Sequence, residues 1–269
     1  MGAVRVLALA GAAALVSTGV VAADLPHPPV YAPVDVGGWY LRGYIGQSNQ
    51  FLDRISHPTF ATATQFTFLD KGGFDSAPFY GVGAGYQWNN WFRTDITVEY
   101  RGKAGFRALD RFLNGAVFNT NDYTATKSEW VGLFNAYIDL GTWWYITPFI
   151  GAGVGVAHNR IEHFRDTNVI AGGGGWADTG TKTNLAWAVH AGAAYKASDR
   201  FVIELSYRYL NLGDAQSGTL LNLDPTVVSG NPLAPVTFHN IQSHDIMLGV
   251  RWLLQPDQPA YQPPLFRKG

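Results

Sequence analysis

Residues 92 to 101 read FRTDITVEYR. In an extended chain Phe92, Thr94, Ile96, Val98 and Tyr100 fall on one face, and Arg93, Asp95, Thr97 and Glu99 on the other. A greasy row backs a charged row, and only a strand separates two such sets of neighbours. The pattern returns at Phe201, Ile203, Leu205, Tyr207 and Tyr209 against Glu204, Ser206 and Arg208. It returns again at Ile246, Leu248, Val250 and Trp252 against Asp245, Gly249 and Arg251. Alternation alone does not say which row is inside. A soluble sandwich buries the apolar row, whereas a barrel in lipid turns it outward.

The spacing of the segments decides between the two. Eight alternating stretches of about ten residues, the length of a tilted membrane-crossing strand, cover 39–48, 79–88, 91–101, 129–140, 145–158, 184–196, 201–210 and 243–254. Short links of hairpin length, Asn89-Asn90, 141–144 and 197–200, alternate with long ones at 49–78, 102–128, 159–183 and 211–242. Trp88, Trp91, Phe92, Trp143, Trp144, Tyr145, Tyr195 and Phe201 gather beside the short links, where an interfacial aromatic girdle belongs. The chain is only 14% charged, with 47% hydrophobic residues, yet beyond its first two dozen residues it holds no apolar run of about 18 that could span as a helix. The expected fold is therefore all-β: an eight-stranded antiparallel transmembrane β-barrel over residues 37–254, with short periplasmic turns and four long extracellular loops. A net charge of −1 supplies no field for nucleic acid, and with no cysteine the chain has neither disulfide nor thiolate metal chemistry.

Arg5 leads into an Ala, Val, Leu and Gly run to Val16, and Val21-Ala22-Ala23 offers small residues to a signal peptidase. Residues 1–23 read as a signal peptide cleaved after Ala23, which makes the chain an exported, outer-membrane one. Residues 24–36 and 255–269 carry four prolines each and read as periplasmic linker and tail.

The stretches GGWYLRGYIG from Gly37, YGVGAGYQWNNWFRTDITVEYRG from Tyr80, PFIGAGVGVA from Pro148 and IELSYRYLNLGD from Ile203 resemble the small eight-stranded outer-membrane barrels of alphaproteobacteria. That family contains the Omp25 and Omp31 surface antigens and has an OmpA-like barrel. The resemblance implies a porin-family surface antigen of a Gram-negative cell. It also implies contact with the barrel-assembly machinery, for which Gly249 to Leu254 looks like the terminal signal, with Leu254 in place of the usual aromatic and fifteen residues following.

Eight strands enclose a lumen that side chains can fill. The inward candidates are Arg42, Arg93, Asp95, Glu99, Asp139, Lys196, Glu204, Arg208, Asp245 and Arg251, with Asn135 and His190 beside them. Charges of both signs in so narrow a space must pair, so a salt-bridged plug is expected, with an ion path as the alternative. Gly81, Gly83, Gly85, Gly151, Gly153 and Gly155 share faces with them and are expected to make room for the long charged chains. No catalytic residue, cofactor or metal is expected. His158 and His163 lie near the outer rim, where some relatives are reported to bind haemin, but their spacing has no metal-binding pattern. Gly172 to Gly175 lacks the Lys-Ser/Thr of a phosphate loop, and no His-x-Ser places a base beside a hydroxyl on one strand face. Ser243 and His244 are neighbours and point to opposite sides.

The expected role is structural: envelope integrity, in contact with outer-membrane lipid and lipopolysaccharide. Phe51, Phe60, Phe66, Phe68, Phe112, Phe118, Tyr123 and Trp176 in the loops either pack those loops or meet host surface molecules. A narrow solute channel and a haem-binding adhesin are the alternatives.

Overall fold

A computed structural model describes residues 37–168, 170, 172–224 and 234–254. The expected signal peptide with its cleavage after Ala23, and the expected linker and tail, lie outside the described residues. The elements in order are β1 (Gly38–Phe51), β2 (Arg54–Ser56), α1 (Pro58–Thr62), β3 (Thr64–Phe74), β4 (Ala77–Gln87), β5 (Phe92–Asn114) and β6 (Val117–Asn119). They continue as β7 (Asn121–Asp139), β8 (Ile146–Asn168), β9 (Gly174–Ala177), β10 (Gly180–Lys196), β11 (Phe201–Asn222) and β12 (Pro235–Leu253). Antiparallel pairing runs β1-β4-β5-β7-β8-β10-β11-β12 and closes where β12 pairs β1, with Arg251 opposite Arg42 and Asp245 opposite Ser48. The ring has eight strands and no free edge, the condition for spanning hydrocarbon with strands.

The alternation sorts as lipid requires. Ile96, Val98, Ile138, Val154, Leu205, Ile246 and Leu248 are exposed on the outside, while Arg93, Asp95, Glu99, Arg208 and Asp245 are buried inside. Aromatics bound this belt twice. Trp88, Trp91, Trp143, Tyr195 and Phe201 mark the short-turn rim. On the opposite side Tyr80, Tyr100, Trp130 and His158 occupy successive register pairs. Tyr80 lies 5.7 Å from Tyr100, and Tyr100 5.1 Å from Trp130.

Beyond this second girdle the strands do not stop. The links at 102–128, 159–183 and 211–242, expected as loops, are largely sheet: β5 runs to Asn114, β8 to Asn168 and β11 to Asn222, while 49–78 holds β2, α1 and β3. The sequence pattern breaks there because the phase slips. In β5 odd residues face inward up to Arg101; a bulge between Arg101 and Ala104 follows, and then even residues face inward as Ala104, Phe106, Ala108 and Asp110. Positive φ at His163, Gly213 and Asn240 accompanies the same change of parity in β8, β11 and β12. A bulge inserts one residue, so every later side chain changes sides. The polarity inverts with it: Lys103, Arg107 and Arg111 now face solvent, and Phe106 faces in. The interior at and above the bulges is an apolar core of Phe74, Phe106, Phe164, Phe238, Ile161, Leu210 and Leu212. Four of the eight ring strands, β5, β8, β11 and β12, are therefore built for lipid over one length and for water over the next.

Candidate functional site

Below the apolar core, the inward charges form two clusters. In the upper one, Arg208 donates to Glu99 at 2.9 and 2.7 Å and to Asp245 at 2.9 and 2.7 Å. Arg101 reaches Glu129 through Nε at 2.8 Å, Asp245 at 2.8 Å and Ser243 at 2.7 Å. Lys127 pairs with Glu129 and donates to Gln50 at 2.9 Å, and the Tyr44 hydroxyl donates to Glu99 at 2.8 Å. Three acids meet three bases, and each guanidinium bridges two or more carboxylates. Such a set is stable out of water only while it is complete.

The lower cluster is held more by charge than by hydrogen bonds. Arg42 donates to Asp95 at 2.8 Å and to the Tyr137 hydroxyl at 2.8 Å, and Asn135 donates to Asp95 at 2.8 Å. Glu204 stands among Arg42 at 3.4 Å, Arg93 at 3.3 Å and Arg251 at 2.7 Å, yet neither of its oxygens accepts a well-aligned hydrogen bond. Arg93 is 3.3 Å from Asp139, and its guanidinium lies 4.0 Å over the Tyr137 ring. His190 is buried against Asn135 Oδ1 at 3.2 Å.

The structure thus brings together nine of the ten charges chosen from the sequence. Lys196 is the exception: it ends β10 at the short-turn rim, partly exposed and 3.8 Å from Asp199, so its contact is with a turn carboxylate. The sequence pattern does not single out Arg101, Lys127 and Glu129, nor Gln50, nor the tyrosines Tyr44, Tyr137 and Tyr40, the last of which donates to Asp95 at 3.0 Å. Arg101 and Glu129 sat at segment ends, Lys127 just beyond one, where the phase argument gives out. The glycines also serve a different purpose from the expected one. A Cβ at Gly81 would collide with the Tyr44 ring, at Gly85 with Tyr40 and at Gly151 with Tyr137. Only Gly83, whose Cβ would lie 3.3 Å from Arg42 Cγ, makes room for a charged chain, and Gly153 yields to Asn135. Three of the six glycines thus seat the tyrosines that line the two clusters, and Gly155 lies against the Gly132 carbonyl.

Serine and histidine do meet, but across strands. Ser56 Oγ lies 2.7 Å from His239 Nε2, with Asp214 3.7 Å from the other ring nitrogen. Asp214 is already committed to Lys182 at 3.0 Å and to the Asn240 N–H at 3.0 Å, so the base lacks its orienting carboxylate. Ser243 is inward on Arg101, and His244 outward on Tyr207. His158 bonds Thr183 at 2.8 Å, and among the described residues no group of three metal-ligating side chains forms.

A closed antiparallel ring with an apolar belt outside, aromatics at both edges and charges inside defines a transmembrane β-barrel protein. The chain belongs to the outer membrane protein beta-barrel domain family, whose model matches residues 8–252. It is 30% identical to an uncharacterised protein of Brucella abortus (strain 2308), over 71% of this chain and 75% of the relative. It is 30% identical to outer membrane protein PagN of Salmonella typhimurium, over 49% of this chain and 56% of that one. A candidate adhesin of Rickettsia prowazekii matches at 25%, over 64% and 72%. Among solved structures, the outer membrane protein OprG from Pseudomonas aeruginosa aligns over 82% of this chain and 97% of its own at 13% identity, with a TM-score of 0.49.

Proposed function

We propose that this outer-membrane barrel is a closed, structural one of the alphaproteobacterial surface-antigen type. In this reading it supports envelope integrity and presents its extracellular end to the surroundings. The observation that carries this is the filling of the lumen: Arg93, Arg101, Arg208, Tyr40, Tyr137 and Phe79 are among the largest fully buried side chains of the described residues, and charges of opposite sign are mutually paired beneath an apolar layer. Lipid and lipopolysaccharide surround the belt, the assembly machinery reads the β12 end, and residues 1–23 direct export with cleavage after Ala23. The test is planar-bilayer conductance of refolded protein whose barrel is confirmed by a heat-shifted gel band. A silent membrane is expected; reproducible discrete steps would establish the narrow-channel reading instead. In cells, a deletion strain should lose detergent resistance and vesiculate.

A second reading, attachment to a host surface, draws on the name of the Rickettsia relative and on the exposed Phe51, Phe118 and Trp176 at the outer end. Binding of whole cells to host cells that is saturable and lost on surface proteolysis would favour it.

A further inference from the structure

Above the apolar core the barrel mouth contains a cavity of about 620 Å³, within the range of small-molecule sites. One wall is aromatic. Phe60 of α1 stacks on Phe66 at 4.9 Å with ring planes 12° apart and meets Tyr123 edge-on at 5.8 Å. The other wall carries two carboxylates from different strands. Asp110 of β5 accepts from the Tyr123 hydroxyl at 2.5 Å and from the Asn121 N–H at 3.1 Å. Asp166 of β8 has no such support: its Oδ1 is buried and accepts no hydrogen bond. Among the described residues no Lys or Arg lines the cavity, whose other titratable groups are Tyr123 and His57.

We propose that this cavity binds an organic ammonium ion with an apolar body, its N–H groups on Asp166 and its body against Phe60 and Phe66. The chemistry favours this class over others. An anion would face two acids, and a neutral apolar molecule would leave the Asp166 carboxylate without a counter-charge, which burial makes costly. A hard metal ion wants six or more oxygens, and only two carboxylates are present among the described lining residues. Aromatic faces attract cations as well as apolar groups, so both walls serve one ligand. Burial and the nearby Asp110 hold the Asp166 carboxyl up to about 7, so an arriving cation would displace its proton. The proposal is independent of whether the lumen below conducts.

The test is calorimetric titration of the refolded full chain in neutral detergent with 2-phenylethylammonium, against 2-phenylethanol and 3-phenylpropionate as neutral and anionic controls. One saturable site is expected for the ammonium, with affinity rising between about pH 6 and 8 as Asp166 ionises, and with proton release on binding. The alcohol should bind at least about tenfold more weakly, and Asp166→Asn should cost at least about tenfold, the usual worth of a charged hydrogen bond. Asn is isosteric, and the heat-shifted band shows that the variant barrel has formed. Equal binding of ammonium and alcohol, unchanged binding by Asp166→Asn, or no saturable binding up to about 10 mM, the weak limit of specific sites, would each overturn the proposal.

Discussion

Arg208 shows how much a single residue holds in this interior. Its guanidinium is the common partner of Glu99 and Asp245, which come from two other strands, and all three side chains are fully buried. Arg208→Ala leaves the three buried acids of this cluster with two bases, Arg101 alone bridging Glu99 and Asp245, and a destabilisation of about 3–5 kcal/mol is expected in urea unfolding from lipid vesicles. Arg208→Lys should fall between variant and parent, because an ammonium cannot serve two carboxylates through paired N–H bonds. Asp166 works in the opposite sense. Its carboxyl sits above the ordinary 3.8, near 7, so the folded state holds a proton that the unfolded chain releases. That group's contribution is fully present at low pH and is lost as pH rises through about 7. Asp166→Asn should therefore gain on the parent between pH 5 and pH 8, measured as the difference of their unfolding free energies. Asp110, also raised by burial, keeps some of the same dependence in the variant.

At the scale of the strand, the phase slip is the informative feature. Val98 and Arg107 are both outward on β5, but one lies below the Tyr100 girdle and the other above the bulge. The chain has no cysteine, so single substitutions can be labelled cleanly. A label at Val98→Cys should be quenched by lipid-chain quenchers and shielded from aqueous maleimide, and one at Arg107→Cys should show the reverse. Phe106, on the inward side above the same bulge, should behave as a core residue of a soluble protein: Phe106→Ala costs about 3–5 kcal/mol in the same unfolding assay. Local sequence signals end at the same place. The eight crossings were legible because strict alternation and short turns such as Asn89-Asn90 are local signals. The extensions were not, because at Gly102, His163, Gly213 and Asn240 one extra residue reverses the pattern, and a period-two scan reads the reversal as an end. The charged cluster was legible for the same reason up to Glu99, and illegible at Arg101, Lys127 and Glu129, which stand next to the slip. The Ser56, His239 and Asp214 grouping depends on register between β2, β12 and β11, which no single segment encodes.

For the whole molecule, the interior is a series of layers: a loosely bonded charge cluster, a tightly bonded one, and an apolar core. Layers in series close a lumen redundantly. Arg93→Ala, which damages the lower cluster alone, should leave planar-bilayer current at baseline, because the layers above it remain intact. Opening should require removal of side chains from both Arg101 or Arg208 and the phenylalanine layer. The position of the outer girdle has one more consequence. Asp110 is ten residues beyond Tyr100 on β5, and at about 3.3 Å per residue with a tilt near 40° this lifts it roughly 25 Å above the girdle. The mouth therefore stands on a stalk of sheet, clear of the acyl chains and glycerol backbones. What arrives there must diffuse in from the aqueous side, and an amine confined to the bilayer is too low to reach it.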